Sequence, residues 1–202
     1  MSTTDSHQVV TFRVGQDEFA ADIMAVERVL RYVEPTGVPN LPEWVEGVLE
    51  YEGRVVPVID LARRFEIARE GGEGQDAGGG GMARRIIVFA VGDDWVGAVV
   101  DSVLEVVMIP GARISPPPAL FRGLSAEYLR GLVRRADAPR GASAATSTRG
   151  GLLIFLEIQR LLSATERLVL ERAIHAAQES EAAGGDATSR PGKRRRAERS
   201  DA

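Results

Sequence analysis

The chain has 202 residues, enough for one domain of ordinary size or two small ones. A net charge of -4 is too mild to point to nucleic acid or a strongly anionic surface as partner. The absence of cysteine removes disulfides, thiolate metal sites and thiol nucleophiles, and fits a reducing compartment.

Hydrophobic residues make up 44% of the chain and aromatics only 5%, so the core is expected to be mostly Val, Leu, Ile and Ala. Residues 1–8 are polar, without an apolar signal core, and are expected to be disordered. No stretch approaches the roughly 18 apolar residues of a membrane-spanning helix. The expectation is a soluble, intracellular protein.

Val10, Phe12 and Val14 alternate with Thr11 and Arg13, the period of a half-buried strand. Residues 15–18 read as a turn, residues 19–23 begin a second strand, and residues 26–32 form a third. Pro35, Pro39 and Pro42 then punctuate the chain, and residues 41–46 suggest one helical turn. Residues 48–65 form the most informative stretch: Glu52-Gly53 is a hairpin turn between two apolar runs. Its second run, Val55 to Leu61, is too β-branched for a comfortable helix. Residues 69–82 are Gly-rich and polar and read as a flexible connector.

Residues 85–107 echo the start of the chain. Phe12, Val14, Gly15, Val26 and Val29 recur as Phe89, Val91, Gly92, Val103 and Val106 at the same spacing, and Phe19 recurs as Trp95 after a one-residue deletion. Such a repeat of strand, tight turn, strand, strand predicts two similar β subdomains. Residues 128–133 and 152–158 read as paired strands joined by a flexible loop over 137–151. Ser163 and Glu166 have capping-box spacing, opening a helix over 163–178 with Leu170, Ile174 and Ala177 on its apolar stripe. Residues 179–202 read as a disordered tail carrying a basic cluster at 193–196.

None of these segments carries an active-site pattern. Residues 72–77 match G-x-G-x-x-A only formally, because no strand precedes them and no helix follows. His7 and His175 are far apart and lack metal-ligand spacing. Asp17-Glu18 and Asp93-Asp94 sit at turns, where acidic residues are ordinary. The basic cluster has no aromatic residues to stack bases. Catalytic, cofactor and metal sites are all expected to be absent. Val26, Val29, Val103 and Val106 read either as core or as the lining of an apolar groove between two barrels that takes a partner helix.

The run Gly47-Val-Leu-Glu-Tyr-Glu-Gly-Arg-Val-Val-Pro-Val-Ile-Asp-Leu61 resembles the signature of the CheW chemotaxis coupling proteins, close to G-V-x-N-L-R-G-x-V-V-P-V-I-D-L. Asp17-Glu18-Phe19 with Asp22-Ile23, Val38-Pro39-Asn40, residues 97–106, Glu127-Tyr128-Leu129 with Gly131, and residues 158–162 follow in that family's order. The resemblance covers residues 9–173. It implies a mainly β fold of two SH3-like five-stranded barrels with a C-terminal helix, and no enzyme activity. It also implies a bridging role between the cytoplasmic tip of methyl-accepting chemoreceptors and the regulatory domain of a CheA-type histidine kinase, with recruitment to membrane arrays through partners. Positions matching the receptor-binding region are Val26, Gly47, Glu52, Gly97, Val103 and Val106. Ile23, Met24 and Arg28 match the kinase contact.

One departure stands out. The family's N-L-R-G reads Glu50-Tyr51-Glu52-Gly53, and its usual glutamate in the preceding strand is Arg28. If the two positions face each other, the signs of an ion pair are exchanged here. Alternative readings are a CheW-like scaffold with another client, in polar localisation or motility, and a nucleotide-binding protein that uses the Gly-rich segment.

Overall fold

The computed structural model describes residues 6–69, 84–117, 128–134 and 151–162, together with Glu166, Arg167, Leu170, Glu171 and His175. The first half runs β1 (Ser6–Val14), β2 (Asp17–Asp22), a 3-10 turn at Ile23–Ala25, β3 (Val26–Arg31), β4 (Val45–Tyr51), β5 (Arg54–Asp60) and the short helix α1 (Leu61–Arg64). The second half continues β6 (Arg85–Val91), β7 (Asp94–Val100), β8 (Ser102–Pro110), β9 (Ile114–Ser115), β10 (Leu129–Arg134) and β11 (Leu152–Leu156).

Several expectations shift. The first strand starts at Ser6, inside the stretch read as disordered, because residues 6–8 pair with residues 108–110 of β8. Residues 41–46 are not a helical turn. Val45 N–H closes a tight turn onto the Pro42 carbonyl at 2.9 Å, and β4 begins there. Asp17 and Glu18 already belong to β2, and β11 ends at Leu156 before a 3-10 turn at Ile158–Arg160. Glu166, Arg167, Leu170, Glu171 and His175 are helical, and the remainder of the helix over 163–178 lies outside the described residues. So do the tail and nearly all of the two loops.

Two sheets result, in the orders β8-β1-β2-β11-β10-β9 and β3-β6-β7-β5-β4. The sixth strand of the first is the two-residue β9. The repeat is present, but its two copies exchange their third strands. β3 leaves β2 to pair with β6, and β8 leaves β7 to pair with β1. Place for place, β8-β1-β2-β11-β10 matches β3-β6-β7-β5-β4, including one parallel pair in each, β11 with β2 and β5 with β7. Side chains on the outer strands close each sheet. In the first barrel Ile109 of β8 and Val133 of β10 share one buried cluster. In the second, Tyr32, just beyond β3, donates its hydroxyl to Glu46 of β4 at 3.0 Å.

Three buried clusters explain the strand patterns. Val9, Ala20, Ile109, Val133, Leu153 and Phe155 fill the first barrel. Val56, Val58, Ile86, Val88 and Val99 fill the second. The largest, built on Val10, Phe12, Val14, Phe19, Ile59, Leu61, Ile87, Phe89, Val91 and their neighbours, lies between them. Alternation in β1 therefore reports the barrel–barrel contact: Phe12 and Val14 face the other barrel, and Val9 faces inward. Four phenylalanines run through this shared core in the train Phe89–Phe12–Phe19–Phe65, which ends on Tyr128, with ring centroids 5.7–6.4 Å apart. The interval between the barrels is thus packed, not an open crevice. Arg64 locks the C-terminal helix onto it. Its guanidinium lies over the Trp44 and Tyr128 rings and pairs with Glu166 at 2.6 Å.

Gly15, in the β1–β2 turn, has φ +60°, and a Cβ there would stand 2.6 Å from Ile67 Cγ2 and 2.9 Å from the Ala68 carbonyl oxygen. Gly15→Ala is expected to cost roughly 2–4 kcal/mol in denaturant unfolding, from the left-handed backbone and the backbone clash together. Gly37→Ala, at a site with open space around it, is expected to stay within about 1 kcal/mol of neutral.

Burial raises the Glu46 carboxyl above its ordinary value near 4.5, and the neighbouring Asp60 pushes the same way, against the Tyr32 hydrogen bond, Arg84 and Arg63. The folded chain then holds this proton more tightly than the unfolded chain. The contribution to stability is complete below about pH 4.5 and is lost as pH rises through the folded-state value. Glu46→Gln lacks that dependence. The melting temperature of the parent, relative to the variant, is expected to fall between about pH 4 and pH 7.

Candidate protein–protein interface

The nominated residues divide by burial. Val26 is the first residue of β3 and Val103 the second of β8, the two exchanged strands, and both pack against the shared core. Val29 and Val106, three residues further along the same strands, are 40% and 49% exposed. Met108 on β8 is exposed too. The two exchanged strands therefore display apolar side chains to solvent at repeat-related positions.

Gly47 and Gly97 are buried. A side chain on Gly47 would run into the Thr36 carbonyl, because Thr36 and Val48 form a two-bond bridge at 2.8 and 2.9 Å. One on Gly97 would press 3.0 Å from Ile86 Cγ2 and 3.3 Å from Val58 Cγ2, inside the second barrel. Both glycines have structural reasons to lack a side chain, and neither offers surface to a partner.

Ile23 packs against the shared core, while Met24 stands out from the first crossover with 87% of its surface exposed. The Asp22 carboxylate accepts the Met24 N–H at 2.9 Å and fixes this turn.

Arg28 and Glu52 do face each other. Arg28 Nη2 lies 3.7 Å from Glu52 Oε1, and Arg28 Nε donates to the Tyr51 hydroxyl at 2.9 Å. Both charged side chains are more than half exposed. Glu52 holds φ +50° ahead of Gly53 at +73°, so both central residues of this two-residue hairpin have positive φ, as a type I′ turn requires. Glutamate is an uncommon choice there, since Asn, Asp and Gly tolerate the conformation better. The pair joins β3 to the β4–β5 turn at the rim of the second barrel.

Sequence patterns did not single out the polar residues that hold the barrels together. Asp60 is fully buried and caps α1 through the Ala62 N–H at 2.7 Å. Arg69 reaches back to it and to Asp101. Gln159 grips the β6–β7 hairpin. The signature's aspartate was visible as a residue, but its partner Arg69 lies 9 positions away, Arg69's second partner Asp101 a further 32, and no local pattern marks them. A separate cavity of about 480 Å³ opens between β5, β7 and the C-terminal helix, lined by Arg54, Val56, Trp95, Val96, Leu170 and others. None of the nominated residues lines it.

A family model described as the CheW-like domain matches residues 8–166. The "Chemotaxis protein CheW" of Klebsiella aerogenes is 30% identical over 168 residues, 83% of this chain and 89% of that one. The protein of the same name from Treponema pallidum is 28% identical over 162 residues, covering 80% and 85%. "Protein FrzA" of Myxococcus xanthus is 36% identical over 123 residues, covering 61% and 71%. Among solved structures, the scaffolding protein TtCheW from Thermoanaerobacter tengcongensis superimposes with a TM-score of 0.62 at 26% identity, over 80% of this chain and 96% of that one. With the exchanged-strand barrels and the signature hairpin, these matches make the chain a member of the CheW-like family.

Proposed function

We propose that the chain is a non-catalytic adaptor that couples the cytoplasmic tip of methyl-accepting chemoreceptors to the regulatory domain of a CheA-type histidine kinase. The observation that carries this reading is the exposed apolar set on the exchanged strands and first crossover, Val29, Val106 and Met24, in a chain of this family. Exposed apolar side chains on a rigid scaffold are what a helical or barrel partner covers. The mechanism is geometric. One protein holds two partners in register, so a small displacement of the receptor changes kinase output. Each contact is modest in area, and strength arises from many contacts in an array. Recruitment to the membrane runs through the receptor.

Val106 and Met24 give the cleanest tests, because Val26, Val103 and Ile23 also serve the core. Val106→Glu is expected to weaken binding to a receptor-tip fragment by about ten-fold or more, and Met24→Glu to weaken binding to the kinase regulatory domain similarly, with unchanged circular dichroism. Calorimetric titration of each pair checks this. Retained affinity in both variants removes the assignment.

The Arg28–Glu52 pair supports a second element of the reading. At this exposure an ion pair contributes about 0–1 kcal/mol, so stability does not account for its polarity. Charge order at an interface acts on partner choice. The exchanged signs suit a receptor or kinase surface of matching, divergent polarity. A double-mutant cycle is expected to read no more than about 1 kcal/mol of folding coupling. Joint Arg28→Glu and Glu52→Arg replacement is expected to shift preference away from the chain's own receptor. Unaltered pairing with that receptor would discard the specificity assignment and leave the adaptor reading intact.

A further inference from the structure

The two barrels clasp each other reciprocally. After β5 and α1, the chain leaving the second barrel runs under the β1–β2 turn of the first, where Gly15 admits Ile67 and Ala68. Arg69 then donates from Nη1 and Nη2 to the Asp60 carboxylate at 2.5 and 2.9 Å, and from Nε to Asp101 at 2.9 Å. Asp101, at the second crossover, accepts the Gly15 N–H through its other oxygen and donates its own N–H to the Arg13 carbonyl at 2.9 Å. On the opposite side, the chain leaving β11 places Gln159 on the β6–β7 hairpin of the second barrel. Its amide donates to the Ala90 carbonyl and accepts the Gly92 N–H, both at 3.0 Å. Gly15 and Gly92 are repeat equivalents, and β5 and β11 occupy matching places in their sheets. Each barrel's exit segment therefore reaches the other barrel's first hairpin, once through charges, with Asp101 relaying Arg69 to Gly15, and once directly through the neutral amide of Gln159.

We propose that these clasps are positioning elements which fix the angle between two barrels already joined by the shared core, so that Arg69, Asp101 and Gln159 set how strongly a displacement at one barrel reaches the other, and not how tightly either partner binds. This rests on the adaptor reading for its functional consequence, while the mechanical part stands alone. None of the three residues belongs to the nominated contact surfaces. The side chains of Arg69 and Asp101 are about a quarter exposed, and neither residue belongs to the shared core.

The test uses the full chain. With no cysteine of its own, it accepts a spin-label pair at Arg31→Cys on β3 and Arg134→Cys on β10, both exposed and one in each barrel. Arg69→Met risks leaving Asp60 buried and unpaired, so Asp101→Asn and Gln159→Ala are combined instead. The inter-label distance distribution is expected to broaden about two-fold, as the barrels, still joined by the shared core, gain freedom to rock against each other. Kinase activation by receptor in the reconstituted ternary complex is expected to fall at least about five-fold, with each binary Kd within about two-fold of the parent. An unchanged distance distribution overturns the proposal, as does activation that falls only in proportion to lost affinity. If the parent chain binds neither partner, the adaptor reading fails, and the distance distribution still decides the clasps.

Discussion

The packing between the barrels is the constraint on which the rest of this molecule depends. β1, β2, β6 and β7 each present one face to a barrel interior and the other to the partner barrel. Strands buried on both faces leave no side for solvent, so the barrels do not separate without exposing Phe12, Phe19, Phe89 and their neighbours. Phe12 and Phe89, the same position in the two repeats, meet at 6.4 Å in this shared core. Strand exchange reinforces the union, because each barrel contains one strand supplied by the other repeat.

Near-symmetry of the backbone makes the departures from it informative. The two crossovers between barrels are treated differently. At the second, Asp101 is tied to Gly15, Arg13 and Arg69. At the first, a 3-10 turn capped by Asp22 pushes Met24 into solvent. One crossing is held from within, and the other offers an apolar side chain outward. The exchanged strands differ as well: β3 carries Glu27, Arg28 and Arg31, whereas β8 carries Glu105 alone and then Val106, Val107 and Met108. Charged edge strands resist casual pairing. The apolar outer surface therefore lies mainly on β8, and the charged ion pair on the β3 side.

Rigidity and recognition are separated in space. Gly47, Gly97, Asp60 and Arg64 look inward and shape the scaffold. Glu52, Met24, Val29 and Val106 look outward. Much of the signature hairpin belongs to the first group: the glycine admits the Thr36 bridge, and the aspartate caps α1 and anchors Arg69. The turn residue Glu52, like its neighbours Glu50 and Arg54, reaches the surface as a charge with room to meet another protein.

Local pattern was enough to mark nearly every strand, the two tight turns, the signature hairpin and the repeat. Period-two alternation, glycine at turns and β-branched runs act between neighbours in the chain, so they are visible in one dimension. The same alternation at Phe12 and Val14 did not reveal which side of the strand was a barrel interior, since both sides are buried. The exchange of β3 and β8, the filled space between barrels, the pairing of Arg28 with Glu52 and the hold of Arg69 on Asp60 and Asp101 were decided by tertiary structure. Each joins residues whose separation in sequence carries no periodic trace, and only packing of the two sheets brings their charges and side chains within bonding distance.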